Sequence, residues 1–167
     1  MPDNSSEMSV SIHPELPPEH RWLAVYGAPF QIGSEGGGTV TPSRAIYARS
    51  APRPEGPWSE RVLLYEIPEV SATPRRSGAT VRYAGKAPRP LLSPETFCYA
   101  AKAHPRFAEP GTLLLTYVCS LRGGGLGARP RLLHDLETYV PRVVSVGMPP
   151  ALRGESEALP QAADPAP

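Results

Sequence analysis

The sequence predicts an all-β fold of about two antiparallel sheet units in tandem, the pattern of a partial β-propeller or a similar array. Three observations point there. A three-beat series of β-type runs occurs between residues 21 and 66 and again between residues 96 and 146. Segments dense in proline and glycine divide the runs; the 167-residue chain has 23 Pro and 15 Gly, about twice the usual combined share. Helical spacing is confined to residues 131–140, where Leu132, Leu133 and Leu136 lie between Pro130 and Pro141 and allow about two turns.

The first unit opens with Arg21-Trp22-Leu23-Ala24-Val25-Tyr26, aromatic and branched residues that suit a pleated surface. Residues 33–38 carry four glycines in six positions and read as a loop or hairpin tip. They match no phosphate-binding motif, because no helix pattern follows and no Gly-Lys-Ser/Thr is present. The second strand, Arg44-Ala45-Ile46-Tyr47-Ala48-Arg49-Ser50, alternates apolar with larger, more polar side chains. A turn over residues 51–59 follows, rich in residues that fix φ or permit it above zero. Arg61-Val62-Leu63-Leu64-Tyr65-Glu66-Ile67 is the third strand.

The second unit repeats that order. Thr96-Phe97-Cys98-Tyr99-Ala100-Ala101-Lys102-Ala103-His104-Pro105 and Gly111-Thr112-Leu113-Leu114-Leu115-Thr116-Tyr117-Val118-Cys119-Ser120 are its first two strands, and residues 139–146 the third. Residues 62–65, 113–115 and 143–144 are apolar at consecutive positions, which predicts cover on both sheet faces. The connection over residues 68–95 holds five prolines and has weak strand character only at 80–83. A link that long is either an insertion or the sign of a missing partner strand.

Net charge is +1, with 17 Lys and Arg against 16 Asp and Glu, which argues against an electrostatic nucleic-acid binder. Arg53, Arg75, Arg76, Arg82, Lys86 and Arg89 are separated by Pro and Gly and read as a solvated loop. No apolar run is long enough to span a membrane. Residues 1–8 lack a basic and an apolar region, so no secretory signal is expected in the chain as it stands. The resulting organisation is a disordered or extended segment over 1–20, a folded unit over 21–146 and a disordered Pro- and Ala-rich tail over 147–167.

Several segments in fixed order resemble a known family. They are Ser50, Pro54-Glu55-Gly56-Pro57-Trp58-Ser59, Leu64-Tyr65, Tyr99 to Pro105, Leu114-Leu115-Thr116-Tyr117 and Tyr139-Val140-Pro141-Arg142-Val143-Val144. Together they resemble the C-terminal part of an uncharacterised glycosidase-like family with a five-bladed β-propeller. The Gly-Pro-Trp-Ser element is also similar to the strand-connecting turn of propeller glycoside hydrolases and sialidase-like repeats. The resemblance covers residues 22–146. It implies that the chain carries only the last two blades or so, as a fragment or degenerate copy. On that basis the expected function is a non-catalytic carbohydrate-binding module, the alternative being a glycoside hydrolase. An extracellular location follows if the parent protein is secreted.

The resemblance places His104 near a propeller axis, where a histidine of such proteins binds a central cation or contacts the sugar. The plainer reading is a strand-end histidine bonded to a carbonyl. Lys102 and Tyr99 share its segment and complete the expected ligand-binding set. No other cofactor is expected. Hydrolysis needs two carboxyl groups across one bond, and Glu66, Glu69, Glu95, Asp135 and Glu137 read as surface groups. Trp22 and Trp58 read as packing plugs rather than sugar platforms.

If Ala103 lies near Leu113 across the hairpin, Cys98 and Cys119 face each other and can form a disulfide. Two small buried hydrophobes are the alternative for this pair, and the preferred one. No C-x-x-C and no G-x-S-x-G is present. Association through exposed blade faces is expected, carried by Leu63, Leu115 and Val144.

Overall fold

A computed structural model describes residues 7–27, 44–70, 81–83, 96–121 and 140–155. The fold is all-β, built on two antiparallel sheets. The first contains β1 (Met8–Ile12), β2 (Trp22–Gly27), β3 (Ala45–Ala51) and β4 (Val62–Glu66), adjacent in chain order. The second contains β6 (Thr96–Ala103), β7 (Thr112–Leu121) and β8 (Arg142–Gly147), with the three-residue β5 (Val81–Tyr83) beside β8 at its edge. No α-helix occurs among the described residues, which include two 3-10 turns, Pro105–Phe107 and Pro150–Arg153. The stretch over 131–140, the one place with helical spacing, lies outside the described residues except for Val140.

Each β-type run of the sequence is a strand, within one to three residues of its expected ends. β1 is the addition: it lies inside the N-terminal stretch read as disordered or extended and pairs with β2 from Met8–Tyr26 to Ile12–Trp22.

A single apolar layer lies between the sheets. Leu23, Val25, Ile46, Ala48 and Leu64 enter it from the first sheet, and Cys98, Leu115, Tyr117, Val144 and Val146 from the second. Leu16, Met148 and Leu152 complete it from the segments that flank the strands. β6 packs against β1 and β2, with Ala103 of β6 beside Ser9 of β1. There the Ala103 N–H, on the open edge of β6, donates to Ser9 Oγ at 2.8 Å. That bond occupies an edge donor that would otherwise be available to another chain.

Two register shifts shape the strands. Ile46 faces Tyr65 while Tyr47 faces Leu63, so Leu64 is the extra residue of a bulge. The bulge explains how the neighbours Leu64 and Tyr65 both reach the core. In β6, Tyr99 faces Val118 and Lys102 faces Thr116, and Ala100 between them has φ 56°. That left-handed conformation is costly for a residue with a Cβ. In the turn before β4, Gly56 has φ 104°, and a Cβ there would sit 3.0 Å from the Trp58 backbone nitrogen.

The cover expected on both faces at residues 62–65, 113–115 and 143–144 is incomplete there: Val62, Leu63, Leu114 and Val143 are half-buried, and Leu64 and Tyr65 are both buried because of the bulge. β2 is buried at every position from Leu23 to Gly27. Its outward Tyr26 lies 6.4 Å from the Tyr47 ring and accepts a 3.0 Å hydrogen bond from Arg49 Nε. The Arg61 guanidinium covers the Tyr47 ring at 4.8 Å. β7, by contrast, alternates along Thr112–Cys119: Leu113, Leu115, Tyr117 and Cys119 are buried while Leu114, Thr116 and Val118 are half-buried. Leu115 and Val144, expected on exposed faces, belong to the core, and Leu63 is half-buried. The described large apolar side chains that are exposed are instead Met8, Val10, Ile12, Phe107 and Val140.

Candidate functional site

The half-covered face of the second sheet collects the residues expected to bind a ligand. Because Cys98, Ala101 and Ala103 face the core, β6 turns Phe97, Tyr99 and Lys102 outward. The Phe97 and Tyr99 rings stack with centroids 5.4 Å apart and an interplanar angle of 21°. Lys102 is exposed and lies opposite Thr116 of β7. His104 follows β6, with its backbone N–H donating to the Leu114 carbonyl at 2.9 Å. Its Nε2 lies 2.8 Å from Thr116 Oγ1, so Thr116 lies between Lys102 and His104. The expected carbonyl partner of the ring is thus replaced by a hydroxyl. The bulge at Ala100 and Ala101 sets this arrangement, since it keeps both Tyr99 and Lys102 on the outer face although they are three positions apart.

A second polar cluster lies inside the molecule. Glu69, in the turn after β4, is 1% exposed and reaches the second sheet. Its carboxylate accepts hydrogen bonds from Tyr117 Oη at 3.0 and 3.3 Å and from Arg142 Nε at 3.1 Å. Arg142 Nη1 also donates to the Val140 carbonyl at 3.1 Å. The Tyr65 ring lies 5.8 Å from that of Tyr117. Burial, the Glu69 charge and Tyr65, in that order, hold the Tyr117 phenol far above its ordinary range, so it stays a hydrogen-bond donor. This corrects the surface reading of Glu69. Its partners are 48 and 73 residues away, so no local pattern announces them.

Other polar contacts were not read from the sequence. His20 Nδ1 lies 2.8 Å from Ser50 Oγ, and Ser50 is 1% exposed. Ser59 caps the same corner: its Oγ accepts from the Ser50 N–H and its N–H donates to the Ser50 carbonyl. A serine this enclosed serves the turn, since no substrate carbonyl can approach its Oγ. His13 is buried, and burial lowers its imidazole pKa, while Glu15 acts in the opposite direction. Glu15 accepts the Gly111 N–H at 2.8 Å, which ties the segment after β1 to the start of β7.

Cys98 and Cys119 lie opposite each other in the β6–β7 ladder and are joined by a disulfide, with Cα atoms 4.0 Å apart. The alternative of two unlinked hydrophobes is therefore replaced by a cross-link that faces the core. Trp58 is half-buried and lies over Gly56 within its own turn. Among the described residues no group of three or more His, Cys, Asp or Glu side chains forms a metal site. Glu95, Asp135 and Glu137 lie outside the described residues. Among those described, no helix is long and apolar enough to cross a membrane. In comparisons with known proteins, the chain matches no family model, no curated protein and no solved structure.

Proposed function

We propose that this chain is a non-catalytic binding module that offers the outer face of its second sheet to a carbohydrate. One juxtaposition carries this reading. The stacked Phe97–Tyr99 pair shares a strand face with the exposed Lys102, and the His104–Thr116 pair lies directly beside it. Aromatic rings meet the C–H faces of a sugar, while ammonium, imidazole and hydroxyl groups bond to its hydroxyls. Among the described residues, the outward positions of β6, β7 and β8 include no Asp or Glu, whereas glycoside hydrolysis requires a carboxyl pair. Glu69 is committed to Tyr117 and Arg142 inside the molecule.

The first sheet, a four-stranded meander in chain order, has the form of a propeller blade, and it shares an apolar layer with its neighbour as adjacent blades do. These features favour descent from a propeller. β5, placed beside β8, is the departure from a simple blade order.

Affinity electrophoresis through gels that contain soluble polysaccharides tests the proposal. The wild type should be retarded by at least one polysaccharide, and Tyr99→Ala and Lys102→Ala should migrate freely. Wild-type migration unaffected by every polysaccharide would overturn the reading. Turnover of aryl glycosides that His104→Ala loses would replace it with the hydrolase alternative.

A further inference from the structure

β1 is an edge strand with an unusual composition for that position. Met8-Ser9-Val10-Ser11-Ile12 contains no charge, no proline and no bulge, the three devices that usually protect an edge. Its outward face is apolar and open: Met8, Val10 and Ile12 are 38%, 39% and 45% exposed. Ser9 and Ser11 face inward, and Ser9 is held by β6.

The hydrogen-bond phase of the strand fixes which backbone groups face out. His13 N–H donates to the Arg21 carbonyl, in register with the β1–β2 ladder, so the odd-numbered residues bond to β2. By the alternation of antiparallel ladders, the N–H and C=O groups of Met8, Val10 and Ile12 point to the open edge. Among the described residues no group bonds to them.

We propose that β1 is a homodimerisation edge: two copies of this chain pair their β1 strands antiparallel about a two-fold axis at Val10. The strand is self-complementary in that register. Val10 meets Val10 of the second copy, Met8 meets Ile12, and Ser9 meets Ser11, so apolar groups lie on one face and hydroxyls on the other. Glu7 falls opposite His13, and no like charges oppose each other. The outward groups of three residues from each copy close about six main-chain hydrogen bonds. The two four-stranded sheets become one continuous sheet. A strand tethered to another partner would need no such symmetry about its own midpoint, and this favours a second copy over an unrelated extended segment.

The test uses the full chain. Sedimentation and light scattering should give a dimer for the wild type, while Val10→Lys should lose the dimer and keep its circular dichroism spectrum. Cysteine scanning reads the register without relying on that variant. At Val10→Cys the two Cα atoms would be about 5.5 Å apart, within disulfide reach. Two copies of Met8→Cys would place theirs about 14 Å apart, which is too far. Under mild oxidation Val10→Cys should give a covalent dimer on a non-reducing gel, and Met8→Cys should stay monomeric. A monomeric wild type at all concentrations, a dimer that survives Val10→Lys, or equal cross-linking at positions 8 and 10 would each overturn the proposal. So would a monomer that binds an extended peptide along β1 in place of its own copy.

Discussion

The two sheets use similar sequences in different ways. β2 and β7 both contain runs of adjacent apolar residues, yet β2 is buried on both sides and β7 on one. The difference lies in what stands opposite on the outer face. Tyr26 is roofed by Tyr47 and by Arg49, whose long side chain bonds both the tyrosine hydroxyl and the Ser59 carbonyl. On the second sheet Val118 faces Tyr99 and Thr116 faces Lys102, yet Lys102 is exposed and Leu114 and Val118 stay half-buried. A run of apolar residues therefore reports the side that meets the core, and a long cationic neighbour closes the other side where it is bonded across it, as Arg49 is to Tyr26 and Ser59. The sheet left half-open is the one that carries Tyr99, Lys102 and His104.

The largest test concerns the bridge between the sheets. Arg142→Ala leaves the Glu69 carboxylate buried with only Tyr117 to satisfy it. The expected cost is about 3 kcal/mol, near the low end for a broken buried pair because the Arg142 side chain keeps 21% exposure. Thermal unfolding should fall by roughly 10 °C. A shift below about 2 °C would show that the pair does not join the sheets.

The disulfide of the second sheet is expected to matter as much. Cys98 and Cys119 are 21 residues apart, and releasing that loop costs about 3 kcal/mol in the chain-entropy model. The double replacement by alanine should lower the melting temperature to a similar extent, though the larger cavity term of a core site can add to it. Equal stability of the wild type with and without reductant would mean that the two sulfurs are not joined in solution.

Both results bear on what the sequence discloses. The strands β2, β3, β4, β6, β7 and β8 are legible because each is a run of branched and aromatic residues bounded by Pro, Gly or polar turns. β1 is less so: its five residues alternate strictly, but all three apolar ones flank serines in a stretch otherwise full of polar residues and proline. The facing of Cys98 and Cys119 is expected from Ala103 near Leu113. Ala103 instead pairs with Leu115, and the bulge at Ala100 and Ala101 brings the cysteines opposite each other. The burial of Glu69, by contrast, depends on residues from two distant strands. Lys102, Tyr99 and His104 could be named from one segment. Their common face could not, because it depends on the bulge at Ala100, which nothing in two adjacent alanines signals.

A smaller effect separates the two outer faces directly. Arg49→Ala removes the roof of the first sheet, exposing Tyr26 and leaving its hydroxyl without that donor, at a cost of about 1–2 kcal/mol. Lys102→Ala on the second sheet should change stability by less than about 0.5 kcal/mol, as for an exposed side chain of no structural role. Denaturant midpoints measured for both variants decide it. Similar losses at the two positions would erase the distinction between a covered and an open face.

The smallest expected effect is a gain. Ala100 sits in the left-handed region at φ 56°, where its Cβ crowds the backbone and glycine does not. The bulge needs this conformation, since Ala100 and Ala101 together oppose a single position of β7. Ala100→Gly should relieve the strain but loosen the unfolded chain, for a net stabilisation of about 0.5 kcal/mol. The bulge also turns Lys102 to the face of Tyr99, so the variant should leave polysaccharide retardation unchanged while it raises the denaturant midpoint. A lower midpoint would mean that Ala100 does not adopt the left-handed conformation, and the common face of Tyr99 and Lys102 would lose its structural cause.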